Sequence, residues 1–170
     1  MQTEARASGG LPNASLPGIL PGAPPVVDAA AEMVLTLTVG GQLCGVPVLA
    51  VRDILASQAI TRVPLAPREV AGSLNLRGRI VTAIDLRRRL CLPDRAAGGP
   101  PPMSVVVEQG GELYSLLSDA VGEVVPLPAE GLAGNPPTLD AIWRDVSRGV
   151  HRQGDRLLIM LDVDRILAIG

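Results

Sequence analysis

Aromatic residues and lysine are almost absent from this chain. It has no phenylalanine, its only aromatic residues are Tyr114 and Trp143, and its basic residues are all arginine, with a net charge of −2. Nucleic-acid binding without sequence specificity depends on a positively charged surface and on aromatic side chains on which bases stack. We therefore expect no nucleic-acid partner. We also expect a core of aliphatic side chains, whose β-branched members favour strands.

Cysteine and histidine are scarce as well. Cys44, Cys91 and His151 are too few for the four-ligand sphere of a structural zinc ion, so we expect no metal and no cofactor. Both cysteines lie in apolar sequence and are predicted to be buried thiols, and His151 is predicted to be an exposed strand residue. One histidine and no phosphate-binding loop leave hydrolase chemistry without support. We expect that the protein is not an enzyme.

Long apolar runs are missing too. Proline and glycine interrupt every stretch that approaches the roughly 20 residues of a membrane-spanning helix. The start of the chain lacks a basic cluster, and four prolines interrupt residues 16–27, so a signal peptide is not predicted. We expect a cytoplasmic protein without direct membrane insertion.

Residues 1–31 consist mainly of Ala, Gly, Pro and Ser and show neither helical nor strand periodicity. Such a composition buries too little apolar surface to offset the entropy cost of ordering. This segment is predicted to be a disordered N-terminal tail.

From Met33 onward the pattern is that of short strands. Residues 33–39 alternate in polarity and end in two glycines, and residues 42–46 complete a hairpin. Val48, Val51, Ile54 and Leu55 follow at helical spacing after Pro47, which predicts a helix. Further strands are predicted at 59–63, 70–76 and 79–84, and Asp85 is predicted to cap a short helix that ends at Leu90.

The second half of the chain repeats this pattern. A shift of about 70 residues places Gly41 on Gly111, and a shift of about 77 places the segment 79–90 on 156–167. The shifts differ because the second half has a longer loop near 126–138. A long period that occurs twice is typical of duplication of a small unit. We expect two related β units that share an apolar interface, because each is marginal alone.

The turn Asn75-Leu76-Arg77-Gly78-Arg79 places polar and cationic side chains between two aliphatic strands. Arg77 can present a planar guanidinium to a partner's carboxylate, and Gly78 permits the positive φ that such a turn requires. On local chemistry alone, a plain hairpin turn with solvated arginines is the favoured interpretation, and a functional turn is the alternative.

Several segments together resemble the CheW-like domain family. The segment 60–90, ITRVPLAPREVAGSLNLRGRIVTAIDLRRRL, carries a loop between prolines, the motif Asn-Leu-Arg-Gly and the motif Ile-Asp-Leu-Arg. The similarity extends to VLAVRDIL after the first hairpin, to DAVGEVVPLP at 119–128 and to RGVHRQGDRLLIMLDVDRIL at 148–167. It covers about residues 33–168.

The resemblance implies a mainly β fold of two SH3-like five-stranded β-barrel subdomains with short helices. The predicted domain spans 32–168, with the boundary between its intertwined subdomains near 91–102. In that family the protein is a non-enzymatic adaptor in chemotaxis signal transduction. It couples the cytoplasmic signalling tip of a methyl-accepting chemoreceptor to the regulatory domain of the histidine kinase CheA, in arrays at the membrane.

The resemblance also implies residue roles. Arg77 is the position linked to receptor and kinase coupling, and Val51 and Asp53 are positions linked to receptor binding. With Asn75 and Gly78 of the turn, these residues form the predicted partner-binding set. The sequence departs from the family at Leu37 and Cys44, where aromatic residues are frequent, and in the segment 129–140.

Two alternatives stay open. In the first, the protein regulates a kinase array that has another output, such as surface motility. In the second, it binds the kinase without coupling it to a receptor. An enzyme that uses Arg77, His151 and nearby carboxylates is the third hypothesis, and the missing nucleophile, metal set and phosphate loop disfavour it.

Overall fold

The computed structural model describes residues 31–56 and 58–169. The predicted tail lies outside these residues, except for Ala31, which begins the first strand. The elements in chain order are strands β1 (Ala31–Val39), β2 (Gln42–Pro47), β3 (Val51–Leu55), β4 (Val70–Leu76) and β5 (Arg79–Asp85), helix α1 (Leu86–Arg89), strands β6 (Met103–Gln109), β7 (Glu112–Ser118) and β8 (Ala120–Pro128), helix α2 (Ala141–Val146), strands β9 (Ser147–Gln153) and β10 (Arg156–Leu161), and helix α3 (Val163–Ile166).

The strands form two five-stranded sheets, in the orders β8-β1-β2-β10-β9 and β3-β6-β7-β5-β4. The first is called the outer-terminal sheet below, because it holds the first and last strands of the described chain, and the second is called the central sheet. The predicted fold class, mainly β with two five-stranded units and short helices, is confirmed.

The two sheets are related by the predicted duplication, with an exchange of strands. The hairpin β1–β2 corresponds to β6–β7, and β3, β4, β5 and α1 correspond to β8, β9, β10 and α3. Each sheet combines the hairpin of one repeat with three strands of the other. The parallel pairing repeats in register as well, since Thr82 lies opposite Tyr114 and Ile159 lies opposite Cys44.

The exchange of strands determines where the chain passes from one sheet to the other. Residues 91–102 connect α1 to β6, and the strands on both sides, β5 and β6, belong to the central sheet. The chain changes sheet between β2 and β3 and again between β7 and β8. Neither change of sheet lies at 91–102, because parallel pairing between repeats cannot be inferred from local sequence, and the subdomain boundary near 91–102 stays a prediction.

The core has three parts. A central apolar cluster contains residues of both sheets, such as Leu37 and Ile159 from one and Val105 and Leu116 from the other. Two smaller clusters lie within the individual sheets, around Leu158 and around Leu74 respectively. The shared apolar interface predicted between the units is thus present, and it is the largest of the three.

The helix predicted after Pro47 is wrong. Val48–Ala50 form one 3-10 turn, and Val51–Leu55 form strand β3, which pairs with β6. The helical spacing of the apolar residues arises from the turn and from a register shift between Val51 and Asp53. Pairing with a neighbouring strand outweighs the local helical pattern, because intrinsic helix propensity is a weak preference that tertiary contacts override.

Other local predictions also need correction. The strand predicted at 59–63 is reduced to one bridge between Thr61 and Ser73, and the predicted loop from 126 to 138 begins as the end of β8 and includes a 3-10 turn. Cys44 is buried as predicted, whereas Cys91 is exposed. His151 lies in β9 but is only 6% exposed, because the 3-10 turn Ala129–Gly131 covers its ring.

Candidate functional site

The turn between β4 and β5 has a defined backbone conformation. Arg77 and Gly78 have φ values of 52° and 86°, which are the two consecutive left-handed residues of a type I′ hairpin turn. The side chain of Asn75 supports this turn, because its Oδ1 accepts a hydrogen bond from the Gly78 N–H at 2.9 Å. A left-handed backbone conformation is unfavourable for arginine. The residue predicted to bind a partner, Arg77, is therefore held in an unfavourable backbone conformation.

Arg77 extends from this turn toward Asp53 in β3. Its Nη2 lies 3.2 Å from Asp53 Oδ2, and the side chains are 80% and 24% exposed respectively. Asp53 Oδ1 accepts a hydrogen bond from the Ile54 N–H at 2.9 Å. An ion pair with one partner so exposed contributes little to folding stability, at most about 1 kcal/mol. The guanidinium therefore retains donors for a partner protein.

This ion pair also shows that the central sheet is curled. In a flat sheet, β3 and β5 would be three strand spacings apart, or about 14 Å. The contact between Asp53 and Arg77, together with the Thr61–Ser73 bridge to β4, brings the two edges of the sheet toward each other. Curling of this kind is what an SH3-like barrel requires.

A shallow groove of about 190 Å³ lies beside the ion pair. It is lined by Arg52, Asp53, Leu76, Arg77, Arg79, Glu108 and Leu113. The two leucines are apolar, and the other groups are charged. Arg52 Nε donates to Glu108 Oε1 at 2.7 Å, which neutralises part of this rim. The groove therefore combines a small apolar surface with cations, an arrangement suited to an aliphatic side chain next to a carboxylate.

The predicted site residues are only partly brought together. Asp53, Asn75, Arg77 and Gly78 lie around the turn, whereas Val51 is half-buried and packs against the central apolar cluster. The register shift between Val51 and Asp53 separates the surroundings of these two residues. Val51 thus positions β3, and its role in contacting a partner stays a prediction, as do the roles of the other four residues.

Sequence reasoning missed a half-buried charge cluster where the chain passes from the central sheet to the outer-terminal sheet. Asp119 accepts from Arg87 Nε at 2.9 Å, from Arg87 Nη2 at 2.8 Å and from the Gly40 N–H at 2.7 Å. Arg95 lies 3.0 Å from both Asp119 and Asp85. The only sequence signal was a single aspartate within an otherwise apolar segment, and its partners are 24 to 79 residues away along the chain.

The ionisation of this cluster follows from its contacts. Burial by itself would raise the pKa of Asp119. The hydrogen bonds from Arg87 and Gly40 and the charges of Arg95 and Arg87 outweigh this effect and bring the pKa below its ordinary value. The hydrogen bond with Asp119 raises the pKa of Arg87 in turn. Both groups remain charged at neutral pH, and the cluster ties the β1–β2 turn, α1 and the 91–102 connection to one carboxylate.

Within residues 31–56 and 58–169, no group of three or more His, Cys, Asp or Glu side chains is placed to hold a metal ion. Burial lowers the pKa of His151 below its ordinary value.

In the same described part of the chain, no helix has the length and apolar character needed to cross a bilayer.

Comparison with known proteins gives one consistent result. The sequence model of the CheW-like domain family matches residues 33–169. The chain is 26% identical to the chemotaxis protein CheW of Treponema pallidum, over 85% of this chain and 87% of that protein. It is 28% identical to the chemotaxis protein CheW of Klebsiella aerogenes, over 79% and 80% of the two chains. The crystal structure of the scaffolding protein TtCheW from Thermoanaerobacter tengcongensis superposes with a TM-score of 0.73 at 25% identity, covering 82% of this chain and 94% of that one.

Proposed function

Because this chain belongs to the CheW-like domain family, we propose that it is a non-catalytic adaptor of chemotaxis signalling. It couples the cytoplasmic signalling tip of a chemoreceptor to the regulatory domain of a CheA-type histidine kinase. The observation that carries the proposal is the family match over nearly the whole described chain, together with the exposed Arg77 on its supported turn. The adaptor acts in the cytoplasm, at membrane-associated receptor arrays, and needs no cofactor.

The geometry of the Arg77 site supports partner binding. The turn holds the guanidinium in place before a partner arrives, which reduces the entropy cost of binding. A helical receptor tip offers aliphatic side chains that fit against Leu76 and Leu113, and its carboxylates can pair with Arg77. Asp53 holds Arg77 in the unbound state at 3.2 Å. It also disfavours a partner that places an acidic group over β3, which adds specificity.

The experiment that tests the proposal uses the purified full chain with the receptor signalling tip and the CheA-type kinase of the same organism. Pull-downs measure each binary contact, and kinase autophosphorylation is measured with and without receptor and adaptor. Binding to both partners, and receptor control of the kinase that appears only when the chain is added, is the expected result.

Two other outcomes contradict the proposal. Binding to the kinase without any receptor contact would favour a regulator of the kinase alone, including one that serves a different output such as surface motility. Binding to neither protein would remove the adaptor role.

The same pull-downs with Arg77→Ala test the role of the turn. Arg156→Ala is the matched control, because Arg156 is an exposed arginine beside the corresponding hairpin turn of the other sheet.

A further inference from the structure

The connection between β3 and β4 presents an apolar side chain that packs against nothing in the described part of the chain. Leu65 is fully exposed, and its neighbour Val63 is 45% exposed. Both lie between Arg62 and Arg68 in a segment to which the Arg77 site assigns no role. An exposed leucine is ordinary in itself, but the backbone that supports this one is not.

Leu65 occupies a turn position that normally belongs to glycine. The Ala66 N–H donates to the Val63 carbonyl at 3.3 Å, which closes a four-residue turn. Pro64 stands at its second position, and Leu65 at its third has a φ of 63°. Proline followed by a residue of positive φ is the type II arrangement, in which glycine or asparagine is preferred at the third position. A leucine there is strained, and its fully exposed side chain recovers none of that cost in the free protein.

The segment is held firmly to the domain. The Val70 N–H donates to the Pro67 carbonyl and the Asp85 N–H to the Glu69 carbonyl, both at 2.9 Å. Arg68 Nη1 reaches the Arg88 carbonyl of α1 at 3.5 Å. Pro64 and Pro67 restrict the backbone further. Leu65 is therefore presented in a fixed position, which lowers the entropy cost of inserting it into a partner.

Positive charge surrounds the exposed leucine. A cavity of about 380 Å³ beside the turn is lined by Arg62, Arg68 and Arg88, along with the loop residues themselves. Arg88 lies 3.3 Å from Asp94 and 4.0 Å from Asp85. Arg62 forms no ion pair with any residue in the described ranges, and Glu69 at the base of the loop is half-buried. Since Asp94 and Asp85 balance Arg88, the positive charge beside the turn comes from Arg62 and Arg68.

We propose that this surface, the Leu65 knob with Arg62 and Arg68 beside it, docks a protein partner that has an apolar socket bordered by carboxylates. The inference rests on the proposed adaptor function, since an adaptor needs two surfaces that do not overlap. The Leu65 turn and the Arg77 turn lie beyond opposite ends of β4, whose seven residues span roughly 20 Å. Because the Arg77 groove is the proposed site for the receptor helix, the Leu65 end is assigned to the kinase regulatory domain, although the resemblance links Arg77 to kinase coupling as well.

A membrane surface fits these residues less well. The arginines line a concavity, which a flat bilayer cannot fill, and Asp85 and Asp94 beside Arg88 would repel lipid phosphates. One protruding leucine also provides little buried apolar area. A protein surface can match the knob and the cavity together.

The test compares binding of the full chain and four variants to the purified kinase regulatory domain and, separately, to the receptor signalling tip. Leu65→Gly removes the side chain and suits the left-handed backbone. Leu65→Asn removes the apolar character but keeps a residue that tolerates this conformation. Arg62→Glu reverses one charge, and Leu49→Asn is the matched control, since Leu49 is another highly exposed leucine.

We expect both Leu65 variants to weaken binding to the kinase domain about tenfold or more, which is the loss expected when burial of one leucine side chain is removed. We expect Arg62→Glu to weaken it as well, because it places a negative charge against the partner's carboxylates. Receptor-tip binding should stay unchanged, the melting temperature of Leu65→Gly should not fall, and Leu49→Asn should bind the kinase normally. Kinase binding that is unchanged in the Leu65 variants overturns the inference and leaves the adaptor proposal intact. Leu65-dependent binding to phosphatidylglycerol vesicles, without an effect on the kinase, overturns it in favour of a membrane. If the unmodified chain binds neither protein, the adaptor proposal itself fails.

Discussion

Replacing Asp119 with asparagine removes the charge at the centre of the half-buried cluster that it forms with Arg87 and Arg95. Three donors point at this carboxylate within 2.9 Å, and Arg95 lies 3.0 Å away. The side chains of Asp119, Arg87 and Arg95 are 20%, 22% and 17% exposed. The substitution therefore leaves the mostly buried Arg87 without its nearest counter-charge and leaves Arg95 with Asp85 alone. Breaking a buried ion pair from one side costs about 3–5 kcal/mol. Partial exposure favours the lower end, about 3 kcal/mol.

That loss is large compared with the 5–15 kcal/mol that stabilises a typical domain. For a unit of this size it corresponds to a decrease of about 10 °C in Tm, or of about 1.5 M in the urea midpoint. Urea unfolding followed by far-UV circular dichroism measures it. Asp94→Asn is the matched control, because the pair between Asp94 and Arg88 is exposed and should contribute less than about 1 kcal/mol. A loss below about 1 kcal/mol for Asp119→Asn would refute the assignment of this cluster as the link between the sheets.

The same cluster predicts a pH dependence. Since the folded pKa of Asp119 lies below its ordinary value of 3.8, the unfolded chain binds the proton more readily. The stabilisation is therefore complete above the unfolded pKa and is lost as the pH falls through the folded pKa. The free energy of unfolding, measured between about pH 5 and pH 2, should fall less steeply in Asp119→Asn than in the unmodified chain. Equal slopes would show that the carboxylate is not stabilised by its arginines.

Three further changes have distinct expected outcomes. Arg77→Ala should leave thermal unfolding nearly unchanged, because the ion pair to Asp53 is exposed, and the substitution should weaken partner binding in pull-downs. A loss of several degrees in Tm without a binding defect would contradict the proposed role of Arg77. Gly72→Ala should destabilise the chain by about 3 kcal/mol or more in urea unfolding, because a Cβ at this position would overlap the Thr61 carbonyl oxygen and φ is 151°. A variant of normal stability would show that the Thr61–Ser73 bridge is dispensable. The unmodified chain should lose stability as the pH falls below about 6.5, because burial lowers the folded pKa of His151 and the unfolded state binds the proton first. His151→Gln should remove this loss of stability. If the variant keeps the same dependence of stability on pH, another group causes the loss.

The local features of this chain could be predicted from its sequence. Alternating polarity and paired glycines predicted the hairpins β1–β2 and β6–β7, and the pattern at 70–85 predicted β4 and β5. Asp85 was predicted to cap a helix, and its side chain does accept from the Arg87 N–H at 3.0 Å. Strand period, turn geometry and capping depend on residues a few positions apart, so a short stretch of sequence is enough to determine them.

Tertiary structure decided which elements meet. Val51–Leu55 is a strand because β6 offers it a partner some 50 residues away, and Asp53 reaches Arg77 because the central sheet curls. The exchange of hairpins between the repeats and the half-buried cluster around Asp119 likewise depend on contacts across the whole domain. Parallel pairing and burial of charge gain free energy only after distant segments have come together, and no local pattern specifies that partner. The sequence by itself therefore determined the repeat, the turns and the resemblance to a family of adaptors, whereas the folded chain decided where the charges of Arg77 and Asp119 lie.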